Sequence, residues 1–131
     1  MPARTRPEAR FDEVATLVHV LEAFRRLDPD LPIQYALSFM TIARNEGLSI
    51  GELAERLGIA QSSASRNVAA LSRWHSFGKA GLGLVQAVED PRERRRKVVT
   101  LTDTGRAFLD ELRAIVNPPD TRGTERQARS A

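Results

Sequence analysis

The chain has 131 residues, of which 41% are hydrophobic and 28% charged, so one compact domain with a core of useful size can form. It contains no cysteine, which excludes a disulfide framework and a thiolate metal site and fits a reducing compartment. The net charge of +3 and the pI near 10.1 favour a polyanionic partner.

No apolar run approaches the roughly 18 residues needed to cross a bilayer, and the N-terminus lacks the apolar segment of a signal peptide. A cytoplasmic location without a membrane partner is expected. Charge is segregated along the chain. Residues 11–50 carry six acidic and three basic side chains, whereas residues 78–100 carry six basic and three acidic ones, five of the basic ones between Arg92 and Lys97.

In chain order, residues 1–10 contain two prolines and three arginines and read as a mobile basic arm. A first helix is expected over residues 11–27, where Val14, Leu17, Val18, Leu21 and Phe24 recur at helical spacing. Asp28-Pro29-Asp30 ends it and offers a cap for the next. The second helix, over residues 31–45, carries one stripe of Ile33, Ala36, Leu37 and Met40 and another of Tyr35, Phe39 and Ile42. It should be covered on two sides and sit at the centre of the domain. Gly47 stops it, and residues 48–50 can add a short strand beside a later hairpin.

Residues 49–75 read as a helix-turn-helix. Ser49 and Glu52 have the spacing of a capping box, and Leu53, Ala54 and Leu57 form an apolar stripe. Gly58 supplies the turn, since the chain leaves a helix most cheaply through positive φ at glycine. A second, longer helix opens at Gln61-Ser62-Ser63 with Ala64, Val68 and Leu71 inward. Its small polar start, followed by Arg66 and Asn67, suits a helix that enters the major groove.

After Trp74 the period changes. Residues 75–83 are a glycine-rich basic connection, and residues 84–88 and 97–101 suit strands. The tip between them, Glu89-Asp90-Pro91-Arg92-Glu93-Arg94-Arg95-Arg96, is turn-forming and strongly basic. A hairpin with a basic tip directly after a helix-turn-helix makes a winged helix, with the wing at about 84–101. Thr102 caps a last helix whose stripe is Phe108, Leu112 and Ile115, with Leu109 and Val116 beside it. The domain therefore spans residues 11–116, and the polar residues 117–131 are expected to be a disordered tail. The fold class is mainly α (α+β), with about five helices and a β-hairpin wing. The outer helices either close the monomer core or also pair two subunits.

Two segments, LAERLGIAQSSASRNVAALSRW and GLVQAVEDPRERRRKVVTLTDTG, make the chain resemble the MarR family of winged-helix transcriptional regulators. The family pattern of a Gly-Leu-Val opening, an Asp-Pro turn, an acidic-Arg-Arg tip and Leu-Thr-x-x-Gly is matched by Gly83-Leu84-Val85, Asp90-Pro91, Glu93-Arg94-Arg95 and Leu101-Thr102-Asp103-Thr104-Gly105. The likeness covers roughly residues 30–115. It implies a homodimer that binds a pseudo-palindromic operator, usually as a repressor, and the family often binds small aromatic acids between its dimerisation helices and its DNA-binding lobe. Which effector, if any, this chain takes is not implied.

The sequence departs from the pattern in three places. Glu93 stands where the family usually has aspartate, about eight residues (75–82) are inserted between recognition helix and wing, and there is room for only one C-terminal helix.

On double-stranded DNA, Arg66 can donate two bonds to a guanine edge and Gln61 can pair with adenine. Ser62, Ser63 and Ser65 suit phosphate or water-bridged contacts, with helix capping an equal alternative for Ser62 and Ser63. Arg73 is placed for phosphate at the far end of the helix. Arg92, Arg94, Arg95, Arg96 and Lys97 are placed for the backbone or a minor groove. No cofactor and no metal site is expected. His19 and His75 each stand without a ligand cluster, and no nucleophile–base set points to an enzyme. The rival reading is a winged helix that binds protein, such as a replication or phage-assembly accessory, against which the concentrated basic tip argues.

Overall fold

The computed structural model describes residues 12–73 and 80–118. The expected basic arm, Phe11, Trp74, His75, most of the inserted segment and the tail beyond residue 118 lie outside the described residues.

Among the described residues, five helices and three short strands follow in the order α1 (Glu13–Leu27), α2 (Ile33–Arg44), β1 (Leu48–Ser49), α3 (Ile50–Leu57), α4 (Gln61–Leu71), β2 (Val85–Glu89), β3 (Lys97–Leu101) and α5 (Asp103–Val116). The expected strand at residues 48–50 forms as β1. It pairs antiparallel with β3 (Leu48 with Val99, Ser49 with Val98), and β3 pairs with β2 to give the order β1-β3-β2.

Helix starts follow local chemistry. Asp12 caps α1 by accepting from the Ala15 amide at 3.1 Å, and Thr102 caps α5 by accepting from the Gly105 amide at 3.0 Å. The anticipated acidic cap of α2 does not form. Pro32 occupies the cap position without a side-chain bond, and Asp28 instead accepts from the Asp30 amide at 2.9 Å within the turn. Proline fits there because its fixed φ is preorganised and the missing N–H would go unused.

The core lies where α1, α2 and α5 meet. Phe24, Phe39 and Phe108, one from each helix, stack edge to face with ring centres 5.1–6.2 Å apart. Ile42, Leu53, Leu71, Leu84, Val99 and Leu101 extend it beneath the helix-turn-helix and the sheet.

Two expected stripes enter it only in part. On α1 only Ala23 and Phe24 are buried, while Val14, Leu17, Val18 and Leu21 are 69%, 62%, 46% and 55% exposed. On α2 the stripe of Tyr35, Phe39 and Ile42 packs inward with Ala36, but Ile33 and Leu37 face out, so α2 is not covered on both sides. Helical spacing identifies an apolar face without saying whether the same chain covers it.

Ion pairs tie the outer elements to this frame. Glu46, in the turn after α2, holds Arg106 of α5 through both its oxygens (2.9 and 3.0 Å) and accepts from the Leu101 amide of β3 at 2.9 Å. Arg26 of α1 meets Glu111 of α5 at 2.7 Å. Gly105 is required where α5 begins, since a Cβ there would lie 2.0 Å from the Leu84 carbonyl oxygen.

Candidate nucleic-acid interface

The helix-turn-helix is built as its residues dictate. Ser49 accepts from the Glu52 amide at 3.1 Å and Glu52 accepts from the Ser49 amide at 2.9 Å, completing the capping box of α3. Gly58 leaves α3 at φ 67°, and its neighbour Ile59 donates back to the Ala54 carbonyl at 3.0 Å.

Helix α4 starts after Ala60, which occupies the cap position with no side-chain bond. Neither Ser62 nor Ser63 caps it, so the capping alternative for these two serines does not hold. Gln61, Ser62, Ser65 and Arg66 are exposed at the start of α4, Ser63 is half-buried, and Arg66 donates to the Ser63 hydroxyl at 3.5 Å. Ala64, Val68, Ala70 and Leu71 turn inward.

Asn67 departs from the expectation of a groove-facing residue. It is 5% exposed and donates at 3.0 Å to the hydroxyl of Ser38 on α2, which is 0% exposed. It belongs to the core and is unavailable to a base edge. The missed signal was Ser38, a small polar residue on the inward face of α2.

The second helix is also shorter than read, ending at Leu71 with Ser72 as its cap. Arg73 is therefore exposed just past the helix rather than on it. The chain beyond the insertion returns to this point. Gly81 donates to Arg73 at 2.8 Å, Leu82 to Ala70 at 3.1 Å, Gly83 to Ser72 at 3.0 Å and Leu84 to Leu71 at 2.8 Å, so β2 is registered directly on the end of α4.

At the wing, strand β2 begins at Val85, one residue later than read, and Leu84 and Val85 are both buried in the core. The tip is closed by backbone bonds from Asp90 to Arg96 (2.9 Å), from Glu93 to Asp90 (3.2 Å) and from Arg96 to Glu93 (3.0 Å). Arg92, Arg94 and Arg95 are exposed and make no ion pair among the described residues, and Lys97 opens β3 opposite Glu89.

Arg96 differs from its neighbours. Its guanidinium donates to Glu52 of α3 and lies 3.7 Å from Asp90, so it is paired within the chain although exposed. The Ser49 amide and hydroxyl, followed by the positive charges of Arg96 and Arg56, hold the Glu52 carboxyl below its ordinary range.

The structure thus gathers Gln61, Ser62, Ser65 and Arg66 on one helix start and Arg92, Arg94 and Arg95 on one hairpin tip. The wing set is tied to α3, the helix before α4, through Arg96 and Glu52. His19 pairs locally with Glu22 at 3.2 Å. Among the described residues no cluster of His, Cys, Asp or Glu could hold a metal ion, and no helix is long and apolar enough to cross a membrane.

Comparison with known proteins places this geometry. Residues 30–74 match the MarR family model. Among solved structures, the chain is similar to the transcriptional repressor CouR bound to a 23-mer DNA duplex, with 27% identity and a TM-score of 0.53 over 88% of this chain and 75% of that one. It is similar to MepR of S. aureus in complex with DNA at 17% identity and TM-score 0.60, covering 90% and 86% of the two chains. A MarR transcriptional regulator from Methanosarcina mazei Go1 gives 17% identity and TM-score 0.58 over 90% and 84%. No curated protein matches by sequence.

Proposed function

We propose that this chain, which carries the winged helix-turn-helix fold of the MarR family, is a sequence-specific regulator of transcription that binds double-stranded DNA as a homodimer and acts as a repressor. The observation that carries this reading is the pairing of two exposed sets on one frame. Gln61, Ser62, Ser65 and Arg66 stand at the start of α4, and Arg92, Arg94 and Arg95 stand on the wing with no ion pair among the described residues. The helix reads bases, with Arg66 bidentate to guanine and Gln61 on adenine, while the serines meet phosphate directly or through water. The wing arginines, Lys97 and Arg73 supply electrostatic hold on the backbone or in a minor groove.

Two-fold binding is supported by the α1 stripe of Val14, Leu17, Val18 and Leu21, together with Val116 on α5, all exposed in the single chain. Such a stripe costs free energy in water, and a second copy presenting the same face covers it. The sign of regulation rests on likeness to the repressor CouR.

Selection of bound sequences from random duplex DNA tests the reading. Enrichment of a two-fold symmetric site is expected, with affinity falling by about four decades between 50 and 200 mM salt if the dimer neutralises about eight phosphates. Arg66→Ala with Arg95→Ala should abolish retardation of that site. Unchanged retardation by the folded double variant overturns the reading.

A further inference from the structure

Among the described basic residues at the wing, Arg96 alone is bound to carboxylates on both its sides. Its Nη2 donates to Oε1 of Glu52 on α3, and its Nε lies 3.7 Å from Oδ2 of Asp90 at the wing base. The same Glu52 oxygen accepts from the Ser49 amide at 2.9 Å, and Ser49 is the β1 residue paired with Val98 of β3. A closed ring results. It runs from Arg96 across to Glu52, through the capping box to Ser49, across the sheet to Val98, and back along the strand through Lys97. The main chain of Arg96 also locks the tip, accepting from Asp90 and donating to Glu93, while Asp90 Oδ1 holds the Arg92 amide at 2.9 Å.

We infer that Arg96 is a positioning residue and not a DNA contact: it clasps the wing to the start of α3 and so sets where Arg92, Arg94 and Arg95 meet DNA. This rests on the DNA-binding reading above. A guanidinium suits the task because its planar fork reaches two carboxylates at once, which a lysine ammonium does less well. Releasing Arg96 to a phosphate would forfeit both partners and leave Glu52 with Arg56 as its remaining countercharge beside a polyanion. Three or more mutually paired groups also hold geometry better than an isolated exposed pair, because one partner is already ordered when the next engages.

The test compares Glu52→Gln, Arg96→Lys and Arg96→Gln by fluorescence anisotropy on the selected site across a salt series. Glutamine at 52 keeps the acceptor of the capping box, so the helix start survives. Glu52→Gln removes a negative charge, and phosphate attraction alone makes it bind tighter. The clasp instead makes it bind about three- to tenfold weaker, as expected for loss of a networked pair. Arg96→Lys keeps the charge and should weaken binding similarly with the salt slope unchanged, and the Glu52→Gln, Arg96→Gln double variant should be no weaker than the worse single one.

Tighter binding by Glu52→Gln overturns the clasp. So does an Arg96→Lys variant that binds like the parent while Arg96→Gln lowers the salt slope by about one phosphate per protomer. Amide hydrogen exchange without DNA tests the clasp independently: residues 90–96 should exchange faster in Arg96→Lys and Glu52→Gln, with α4 unchanged, and an unaltered wing refutes it. If the parent protein binds no duplex at all, the DNA reading fails, and the exchange result still decides whether Arg96 holds the wing.

Discussion

Replacing Asn67 by alanine separates a core role from a base-reading role. In the folded protein its amide donates to the Ser38 hydroxyl at 3.0 Å, with both side chains buried. The substitution removes a hydrogen bond with a net worth of about 1 kcal/mol and leaves the Ser38 hydroxyl short of a partner, at about 1–3 kcal/mol more. Asn67→Ala should therefore cost about 2–4 kcal/mol. Removing both partners in Ser38→Ala, Asn67→Ala abolishes the orphaned group, and the double variant should be less destabilised than the sum of the singles by about 1–2 kcal/mol. The assay is urea unfolding followed by circular dichroism, at one protomer concentration throughout because association adds to apparent stability. The base preference of the Asn67→Ala protein, below its unfolding transition, should match the parent. A cost under about 0.5 kcal/mol, additivity of the pair, or a changed base at one operator position would refute the core assignment.

Other perturbations address other links. Arg66→Ala should relax one operator position by about 1–3 kcal/mol in competition binding while leaving the remaining positions unchanged. Leu17→Glu with Leu21→Glu places charge on the exposed α1 stripe and should yield a folded monomer by sedimentation; a persistent dimer would assign that stripe elsewhere. Gly105→Ala should destabilise by about 1–3 kcal/mol in urea melts, because the opposing atom is a backbone oxygen that cannot rotate away. Glu52 has a depressed carboxyl in the folded chain, so the unfolded chain binds its proton first and the stabilisation is present above the ordinary value of 4.5. The stability difference between the parent and Glu52→Gln should hold from neutral pH down to that range and shrink as pH falls further.

The elements were legible because their signals are local. The Ser49–Glu52 capping box, Gly58 and the Thr102 cap need only neighbours within four residues, and all three form as their spacing implies. The short strand at Leu48–Ser49 was legible only as an option, since two residues carry too little pattern to fix a strand without the edge of β3 beside them. What escaped depended on partners far along the chain. Asn67 sits in the right place for a groove contact, and only Ser38, 29 residues away, makes it a core residue. Arg96 looks like its arginine neighbours until Glu52, 44 residues earlier, is brought beside it. The exposure of Val14, Leu17 and Ile33 was hidden for a related reason, because an apolar period is the same whether its cover comes from this chain or another. Helix ends moved by a few residues at Pro32, where α2 starts, and at Ser72, where α4 stops, while the start of α4 at Gln61 stands as read.

The bond between Gly81 and Arg73 has a consequence for how this chain can vary. Its 2.8 Å length brings the two sides of residues 74–80 together, and the next three bonds lock the following residues onto the end of α4. Whatever the intervening stretch contains, α4 and the wing are joined through these bonds and not around it. Lengthening such a stretch costs only the entropy of closing a longer loop, about 0.6 kcal/mol per doubling. The register between α4 and the wing is therefore held by bonds on the far side of residues 74–79, and inserted chain would enter and leave the fold at two ends already fixed to each other.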